Sequence, residues 1–583
     1  MIYVPEEKPT YLVLSALPYA NGVKHIGNLV GSLLPADVFA RFLRMQGADV
    51  IYICGTDEHG TTIEVAALKA GMTPQAFADK YHAKQKEIYQ KWNLSFDYFG
   101  RTSGAENHAT TQEIFKAIYD NGFVVEKEMQ TPYCLNDKRF LPDRYIEGTC
   151  PHCGYDGARG DQCEKCGRVL DPADLRKPHC NVCGKSEIEF RKTKHLFLQL
   201  QKMSEQLKSW ISSQEHWPQN ARNFALQWIA QGLHERCITR DLSWGVKVPL
   251  PDYEEKVFYV WFDAPIGYVS FTKEWAKQKG DPTLWEHYWR NKDCKIVNVL
   301  GKDNLAFHTV IWPAMLMASN YANLPSQVKS LEFLNLEGKK FSTSRNWGIN
   351  SDEALEWFPA DYWRYYLCSI LPEQGDADFS LHELMQKSNK DLADAVGNLV
   401  HRCLSFTHMN FGGKVPTPGE MQSSDNDFWR SVKKQVASSE ESFYAYRWQE
   451  ALREAMQIAH ESNKYFNDGE PWKKVKEGDE GKAKAATTVF MTLQAVRSLA
   501  VVLAPFIPAS SQKVFDYLKL GPIELATWDS AAEQKLPGGH EIAPMAEIRP
   551  IFTKIDPAAV AKLKAVLDER AKPEVAGKLP AKA

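Results

Sequence analysis

The sequence shows almost no excess of either charge: 70 Lys and Arg stand against 73 Asp and Glu, for a formal net charge of −3. That excludes a protein-wide basic field and leaves room only for a local positive face, so no DNA partner is expected. A leader is also not expected. Met1-Ile2-Tyr3-Val4-Pro5-Glu6-Glu7 carries neither a basic nor an apolar segment, and later apolar stretches are broken by Asp, Arg or Pro, as in Phe258 to Asp263. No membrane partner is expected, and the expected place is the cytoplasm. What the chain has is bulk. Its 583 residues, 44% of them hydrophobic, suffice for a large core divided over three or four domains. Seven of its 12 cysteines fall between Cys134 and Cys183, a clustering that in a reducing compartment points to metal rather than disulfides.

Along the chain, Tyr11-Leu-Val-Leu14 reads as a buried strand, followed by a turn at Leu17-Pro-Tyr-Ala-Asn-Gly22. Ile26, Val30, Leu34, Val38 and Phe42 then mark a helix in which Pro35 predicts a kink. Asp49 to Cys54 is a second strand, giving a βαβ unit whose ligands sit beyond the strand ends, at that turn and at Gly55-Thr-Asp57-Glu-His-Gly60. Residues from about 120 to 240 lose the alternation and read as an insertion. Val257-Phe-Tyr-Val-Trp-Phe262 and Lys295 to Leu300 are expected to resume the sheet as strands. From about Leu384 the pattern turns helical. Leu392, Val396, Leu399 and Cys403 share one face, as do Val489, Leu493, Val496, Ala500 and Leu503 before Pro505 and Pro508. From about Pro557 the sequence predicts one amphipathic helix ending in a frayed segment.

Cys150-x2-Cys153 and, nine residues on, Cys163-x2-Cys166 supply four thiolates in two tight turns, each with a glycine (Gly154, Gly167) after its second cysteine. This is the donor set of a structural zinc, with no position left for a reacting water. A third knuckle, Cys180 to Cys183, has only Cys134 and Asp137 to complete it, with His179 a rival fourth ligand. A second, weaker zinc and a metal-free relic both remain open there.

Taken together, Leu17-Pro-Tyr-Ala-Asn-Gly22, His25-Ile-Gly-Asn28, the cysteine insert, Gly301-Lys-Asp-Asn304 and Lys340-Phe-Ser-Thr-Ser344 resemble, in content and order, the methionyl-tRNA synthetases, a family of class I aminoacyl-tRNA synthetases. The resemblance runs over nearly the whole chain. It implies a doubly wound, Rossmann-type α/β catalytic domain in two halves, residues 1–120 and 246–325, separated by a zinc-knuckle insertion at 121–245. A stem-contact region with the Lys-Phe-Ser-Thr-Ser loop (326–385), an α-helical anticodon-binding bundle (386–545) and a C-terminal linker or tail (546–583) complete it. The activity implied is methionine activation by ATP with magnesium, releasing pyrophosphate, then transfer to the 3′ end of initiator and elongator tRNA(Met). In some members an oligonucleotide-binding domain that dimerises follows the bundle; none is expected here, and a monomer is expected.

By the same resemblance, ATP meets His25, Gly27, Asn28, Asp303, Lys340, Ser342 and Thr343, with His25, Asn28, Lys340 and Thr343 the catalytic set. Both steps need positioning and charge stabilisation more than covalent chemistry, and His25 and Asn28 at a helix start can aim donors at phosphate. Asn28 stands where a second His is common, and Thr343 replaces the second lysine of the usual Lys-Met-Ser-Lys-Ser. Methionine is assigned Leu17, Tyr19, Asp57, Trp261, Ala264, Pro265, Tyr268 and His308, placed at strand ends. Trp261 and Tyr19 are walls of a slot for the unbranched thioether, Tyr268 and His308 polar contacts to its sulfur, and Asp57 the ammonium partner. Asn398 and Arg402, four apart on an exposed flank, with Pro471 and Trp472, are the anticodon set. Arg240 fits a structural ion pair as well as a catalytic role. Two rivals stand beside this reading: a sibling synthetase for leucine, isoleucine, valine or cysteine, against which the absent editing insert and the Trp261 to Tyr268 segment speak, and a zinc-knuckle RNA-binding protein that has lost catalysis.

Overall fold

The computed structural model describes residues 8–160, 163, 165, 166, 168, 170, 172–341 and 347–570. At its centre, β1 (Thr10–Ser15), β2 (Asp49–Thr56), β3 (Tyr98–Arg101), β4 (Lys295–Gly301) and β5 (Gln327–Leu331) form one sheet. Their order is β5-β4-β1-β2-β3, and every neighbouring pair runs parallel. The chain winds outward from β1 in both directions, so the switch point lies between β1 and β4. Along β1, Tyr11 and Val13 belong to one apolar core and Leu12 and Leu14 to the other. Both faces are covered, which is why the strand reads as an unbroken apolar run.

The helix expected after β1 is present in three pieces: a turn at Ile26–Asn28, a wide π-turn segment at Leu29–Leu33 and α1 (Leu34–Met45). Pro35 opens α1 and has no N–H for the preceding turn, so the ladder widens there instead of continuing.

The expected strand at Val257 to Phe262 is a correction. Of this run only Val257–Phe258 is strand, paired antiparallel with Thr239–Arg240, and Val260 begins the long helix α2 (Val260–Gln278). A short apolar run cannot distinguish a buried strand from a helix buried on nearly every side. Fourteen residues of α2 are buried, which removes the polar face that would have marked it.

The insertion is carried on a long antiparallel ribbon, Val124–Cys134 against Ile188–Leu198, in continuous register from Val124 opposite Leu198 to Cys134 opposite Ile188. Its cysteines gather at the far end, around the small sheet of Ile146–Thr149, Ala158–Arg159 and Arg176–Cys180.

The C-terminal bundle contains α3 (Asn398–Phe411), α4 (Ser423–Tyr444), α5 (Trp448–Asp468), α6 (Gly478–Leu503) and α7 (Pro557–Arg570). Leu392, Val396, Leu399 and Cys403 are buried, as are the five apolar residues expected on α6. On α7, Val560, Leu563 and Leu567 point into the core; the expected frayed segment, 571–583, lies outside the described residues. Residues Ile26–Met45 and α6 are long and apolar enough to cross a membrane, yet 78% and 100% of those windows are buried inside the fold, as in core helices.

One buried cation ties these parts together. Arg364 donates to Asp37 Oδ2 on α1 (2.7 Å), to the Trp92 carbonyl (3.2 Å) and to the Pro505 and Phe506 carbonyls just beyond α6 (2.9 and 2.8 Å). Burial pushes the Asp37 carboxyl up, and Arg41, Arg364 and Ser95 more than reverse it, to about 2.

Candidate active site

A cavity of about 1440 Å³ opens at the carboxyl ends of β1 and β4, where a doubly wound sheet leaves its crevice. It is lined by Leu17, Tyr19, His25, Gly27, Asn28, Asp57, Trp261, Ala264, Pro265, Tyr268, Asp303, His308 and Lys340. Sequence positions 17 to 340 thus converge on one cleft. Ser342 and Thr343, expected there too, lie outside the described residues.

His25 occupies the position before the first helical residue, in extended conformation, and Asn28 is exposed one turn on. The backbone is held from the other side: Ile26 N–H donates to the Ile349 carbonyl and Ser351 N–H to the Lys24 carbonyl. The His25 ring stacks on Phe341, with centroids 4.5 Å apart and planes 12° from parallel. Phe341 was not anticipated. It stands inside the Lys-Phe-Ser-Thr-Ser string, but nothing in the spacing singles out a ring that packs on a histidine 316 positions earlier. Gly27 follows from this stack, because a Cβ there would sit 3.0 Å from His25 Nδ1 and 3.2 Å from Phe341. Burial, and then the Lys24 charge, pull the His25 imidazole down to about 4, so near neutrality it is uncharged.

The apolar end of the cleft is built by α2. Trp261, Ala264, Pro265 and Tyr268 were expected at a strand end; they are instead one stripe of a helix, at i, i+3, i+4 and i+7. That spacing was a signal available in the sequence. Trp261 Nε1 donates to the Tyr19 hydroxyl at 2.9 Å and the indole packs on Phe307, with centroids 4.2 Å apart. Tyr268 and His308 meet at 2.9 Å, and His308 Nδ1 lies 3.1 Å from the Asn304 carbonyl. The two expected sulfur contacts are thus bonded to each other.

Asp57 sits in a short parallel bridge with Tyr19, Ala20 N–H donating to its carbonyl at 2.8 Å. Only 4% of it is exposed, and among the described residues its Oδ1 has no hydrogen-bond partner. Burial first, and the neighbouring Asp263 second, push this carboxyl well up. A buried carboxylate with a free oxygen in an apolar cleft is a receptor for a cation.

Asp303 follows β4 in a single helical turn, Lys302–Asn304. Lys302 beside it is committed to Glu332 (2.6 Å) and Asp376 (2.7 Å). Arg240 is in the ion pair the sequence allowed, 3.0 Å from Asp143, with its guanidinium over the Tyr259 ring.

At the end of the ribbon, Cys150, Cys153, Cys163 and Cys166 bring their sulfurs within 4.8 Å of one another, with Cys150 to Cys166 at 3.9 Å and Cys153 to Cys163 at 3.6 Å. A tetrahedral ZnS₄ centre with bonds of about 2.3 Å has edges of roughly 3.8 Å, so the set fits zinc. Cys134, Asp137, Cys180 and Cys183 form a second cluster, with Cys134 to Cys183 at 3.7 Å and Cys180 Sγ to Asp137 Oδ2 at 3.2 Å. Asp137, not His179, is the fourth member. Gly154 takes φ +71°, the turn expected after a knuckle, whereas Gly167 lies outside the described residues.

In the bundle, Arg402 on α3 donates to Asn467 Oδ1 (2.9 Å) and stands 5.9 Å from the ring centre of Trp472, which is 36% exposed. Asn398 is exposed one turn before Arg402, and Pro471, the residue before Trp472, is buried. The structure thus gathers an exposed indole and a guanidinium at one end of the bundle.

Residues 11–404 match the model of the family described as tRNA synthetases class I (M), and residues 415–568 match that of the anticodon binding domain of methionyl tRNA ligase. The chain belongs to the methionyl-tRNA synthetase family. It is 45% identical over 545 residues to the methionine–tRNA ligase of Pyrococcus furiosus, covering 91% of this chain and 74% of that one. With the methionine–tRNA ligase of Pyrobaculum calidifontis the identity is 41%, over 98% of both chains. Among solved structures, Mycobacterium tuberculosis methionyl-tRNA synthetase bound by methionyl-adenylate superposes with a TM-score of 0.78 at 25% identity, covering 93% of this chain and 100% of that one. The fold expected from the sequence, a parallel-sheet catalytic domain followed by a helical bundle, is the fold of this family.

Proposed function

We propose that the cleft activates methionine with ATP and passes the methionyl group to the 3′ end of tRNA(Met), the chain being a methionine–tRNA ligase. The observation that carries the residue assignment is the convergence of Asp57, the α2 stripe, His25 and Lys340 on one cavity. In this reading Asp57 takes the substrate ammonium on its free oxygen, and Leu17, Tyr19, Trp261, Ala264 and Pro265 enclose the side chain, with the Tyr268–His308 pair at its end. The methionine carboxylate is left facing His25, Asn28 and Lys340, on the side where ATP and its magnesium bind, with Asp303 on the ribose. Attack of that carboxylate oxygen on the α-phosphorus forms the adenylate and expels pyrophosphate. His25, uncharged, contributes a hydrogen bond rather than a charge, and Lys340 contributes the cation. Ser342 and Thr343 are assigned to the same phosphates by sequence alone.

Asn398, Arg402, Pro471 and Trp472 form the proposed anticodon contact, supported by the exposed indole beside a guanidinium, a surface on which an unstacked base rests. The Cys150, Cys153, Cys163 and Cys166 set holds one structural zinc, and Cys134, Asp137, Cys180 and Cys183 a second, weaker one. The working place is taken as the cytoplasm and the state as a monomer, which sedimentation of the purified chain tests.

Amino-acid-dependent ATP–pyrophosphate exchange decides the function. Exchange with methionine is expected. Exchange with leucine, isoleucine, valine or cysteine in its place makes the chain a sibling synthetase, and tRNA binding without any exchange makes it an RNA-binding protein that has lost catalysis.

A further inference from the structure

Two buried acids lie at the methionine end of the site, Asp57 lining the cleft and Asp263 packed behind it without reaching the cavity. Asp57 lies on the loop after β2; Asp263 lies in the first turn of α2, next to Ala264 and Pro265, and is 0% exposed. Each has an oxygen without a hydrogen-bond partner among the described residues. Between them stands His59, 1% exposed, its Nδ1 at 2.7 Å from Asp263 Oδ2 and its backbone N–H donating to the Asp57 carboxylate. A single residue therefore touches both acids, and it links the loop that carries Asp57 to the helix that carries the pocket stripe.

Building on the methionine assignment above, we propose that His59 is a positioning residue for the substrate ammonium: its ring engages Asp263 in a hydrogen bond and leaves Asp57, with its free oxygen, as the acid open to the cleft. Two like charges this close in a dry site cannot both stay ionised unless one is compensated. Like-charge influence of Asp263 on Asp57 is second only to burial in pushing the Asp57 carboxyl up. Among the described residues, no other basic side chain is bonded to Asp263. His59 is faced by His108 of the helix Ala105–Asp120 (centroids 5.3 Å) and by the uncharged Trp244 ring (5.3 Å). Burial, and then His59, pull His108 down to about 4, so it stays neutral. Glu58, on the same loop, is turned away onto Arg101, Ser103 and Thr56. Lys24 reaches Asp57 electrostatically from the signature loop rather than from the Asp263 side.

The test is the methionine KM of exchange as a function of pH in His59→Gln, Asp263→Asn and the double variant. In His59→Gln the uncompensated Asp263 keeps a proton on Asp57 to higher pH. The expected result is a methionine KM raised about tenfold at pH 7, the equivalent of one pH unit, falling back as pH rises, with the ATP KM unchanged. Adding Asp263→Asn removes the like charge and restores the methionine KM, although it does not restore the lost bond. A pH-independent rise, an equal rise for ATP, or a double variant worse than either single one overturns the proposal and leaves the pair a structural bond. Should His59→Gln fail to fold, Asp263→Asn decides alone: a methionine KM at or below wild type near pH 6 supports the proposal, and a higher one overturns it. Wild-type exchange that does not require methionine would refute the function itself; methionine-dependent exchange with pH-flat variants refutes only this inference.

Discussion

Tyr268 donates its hydroxyl proton to His308 Nε2 across 2.9 Å, and the direction of that bond is fixed by a third group. The Asn304 carbonyl, 3.1 Å from His308 Nδ1, can only accept, so the proton of the neutral ring sits on Nδ1 and Nε2 is the acceptor. Burial pulls the His308 imidazole down to about 4, against the opposing pull of Asn304, and keeps it neutral. In the proposed methionine site, the pair would therefore offer the thioether a preset, mutually satisfied polar end in place of two independent donors.

Tyr268→Phe removes the donor and leaves a buried imidazole nitrogen unpaired. A loss of about 1–2 kcal/mol is expected, roughly a tenfold rise in methionine KM with a smaller change in kcat. Exchange kinetics at varied methionine measure it, and an unchanged KM would make the pair a core feature without a part in recognition.

His25→Ala should slow adenylate formation by about 10²-fold while methionine affinity stays nearly intact, the scale of one preorganised donor acting mainly in the transition state. Gly27→Ala should slow the same step, since the added methyl group meets both rings of the His25–Phe341 stack. Single-turnover adenylate formation reads both; a normal rate in His25→Ala removes that residue from the chemistry.

Trp472→Ala should weaken tRNA charging by about 1–3 kcal/mol and leave pyrophosphate exchange untouched, because in the proposed reading its exposed face takes an unstacked base and it does not line the catalytic cleft. Parallel loss in the two assays would instead mark Trp472 as part of the packing with Phe466, 6.1 Å away.

Metal content separates the two cysteine clusters. Protein purified without chelator is expected to carry two zinc ions by plasma emission. Cys163→Ser should cost one of them and Asp137→Ala the other, the first with the larger loss of thermal stability because all four of its donors are thiolates. One zinc in the wild type ends the case for the second site.

Acid should destabilise the protein in a defined window. His25 and His308 are both held near 4, whereas an unfolded histidine titrates at about 6.5. Between those values the unfolded chain binds protons that the folded one refuses, so stability is complete above about pH 6.5 and declines as pH falls toward 4. For His308, 6% exposed, the loss is on the order of 3 kcal/mol at the acid end. Melting temperatures from pH 7 to 4.5 should fall less steeply in His308→Gln; an identical slope would mean that other groups govern the acid limb.

Legibility in the sequence followed how local each signal was. The strands at Thr10–Ser15 and Lys295–Gly301 could be read because both faces are buried and the apolar run is unbroken. The two cysteine clusters were visible in their spacing, since a metal needs its ligands paired in tight turns. The stripe Trp261, Ala264, Pro265 and Tyr268 was found by resemblance but placed on the wrong element, because a helix buried on nearly every side hides its own period. The stack of His25 on Phe341 and the bond of His59 to Asp263 join residues 316 and 204 positions apart, and pairings at that range leave no periodic trace in a single sequence.

Arg364 bears on how freely the two ends of the chain can be exchanged. It stands between the halves, and its acceptors come from both: a carboxylate on α1 and two carbonyls just beyond the end of the bundle's longest helix. A chimera that grafts this bundle onto another catalytic body therefore has to bring an acceptor geometry matched to a guanidinium it does not itself encode. A graft that cuts around Arg364, keeping it with its acceptors, is therefore expected to fold more stably than one that cuts through the linker before α3.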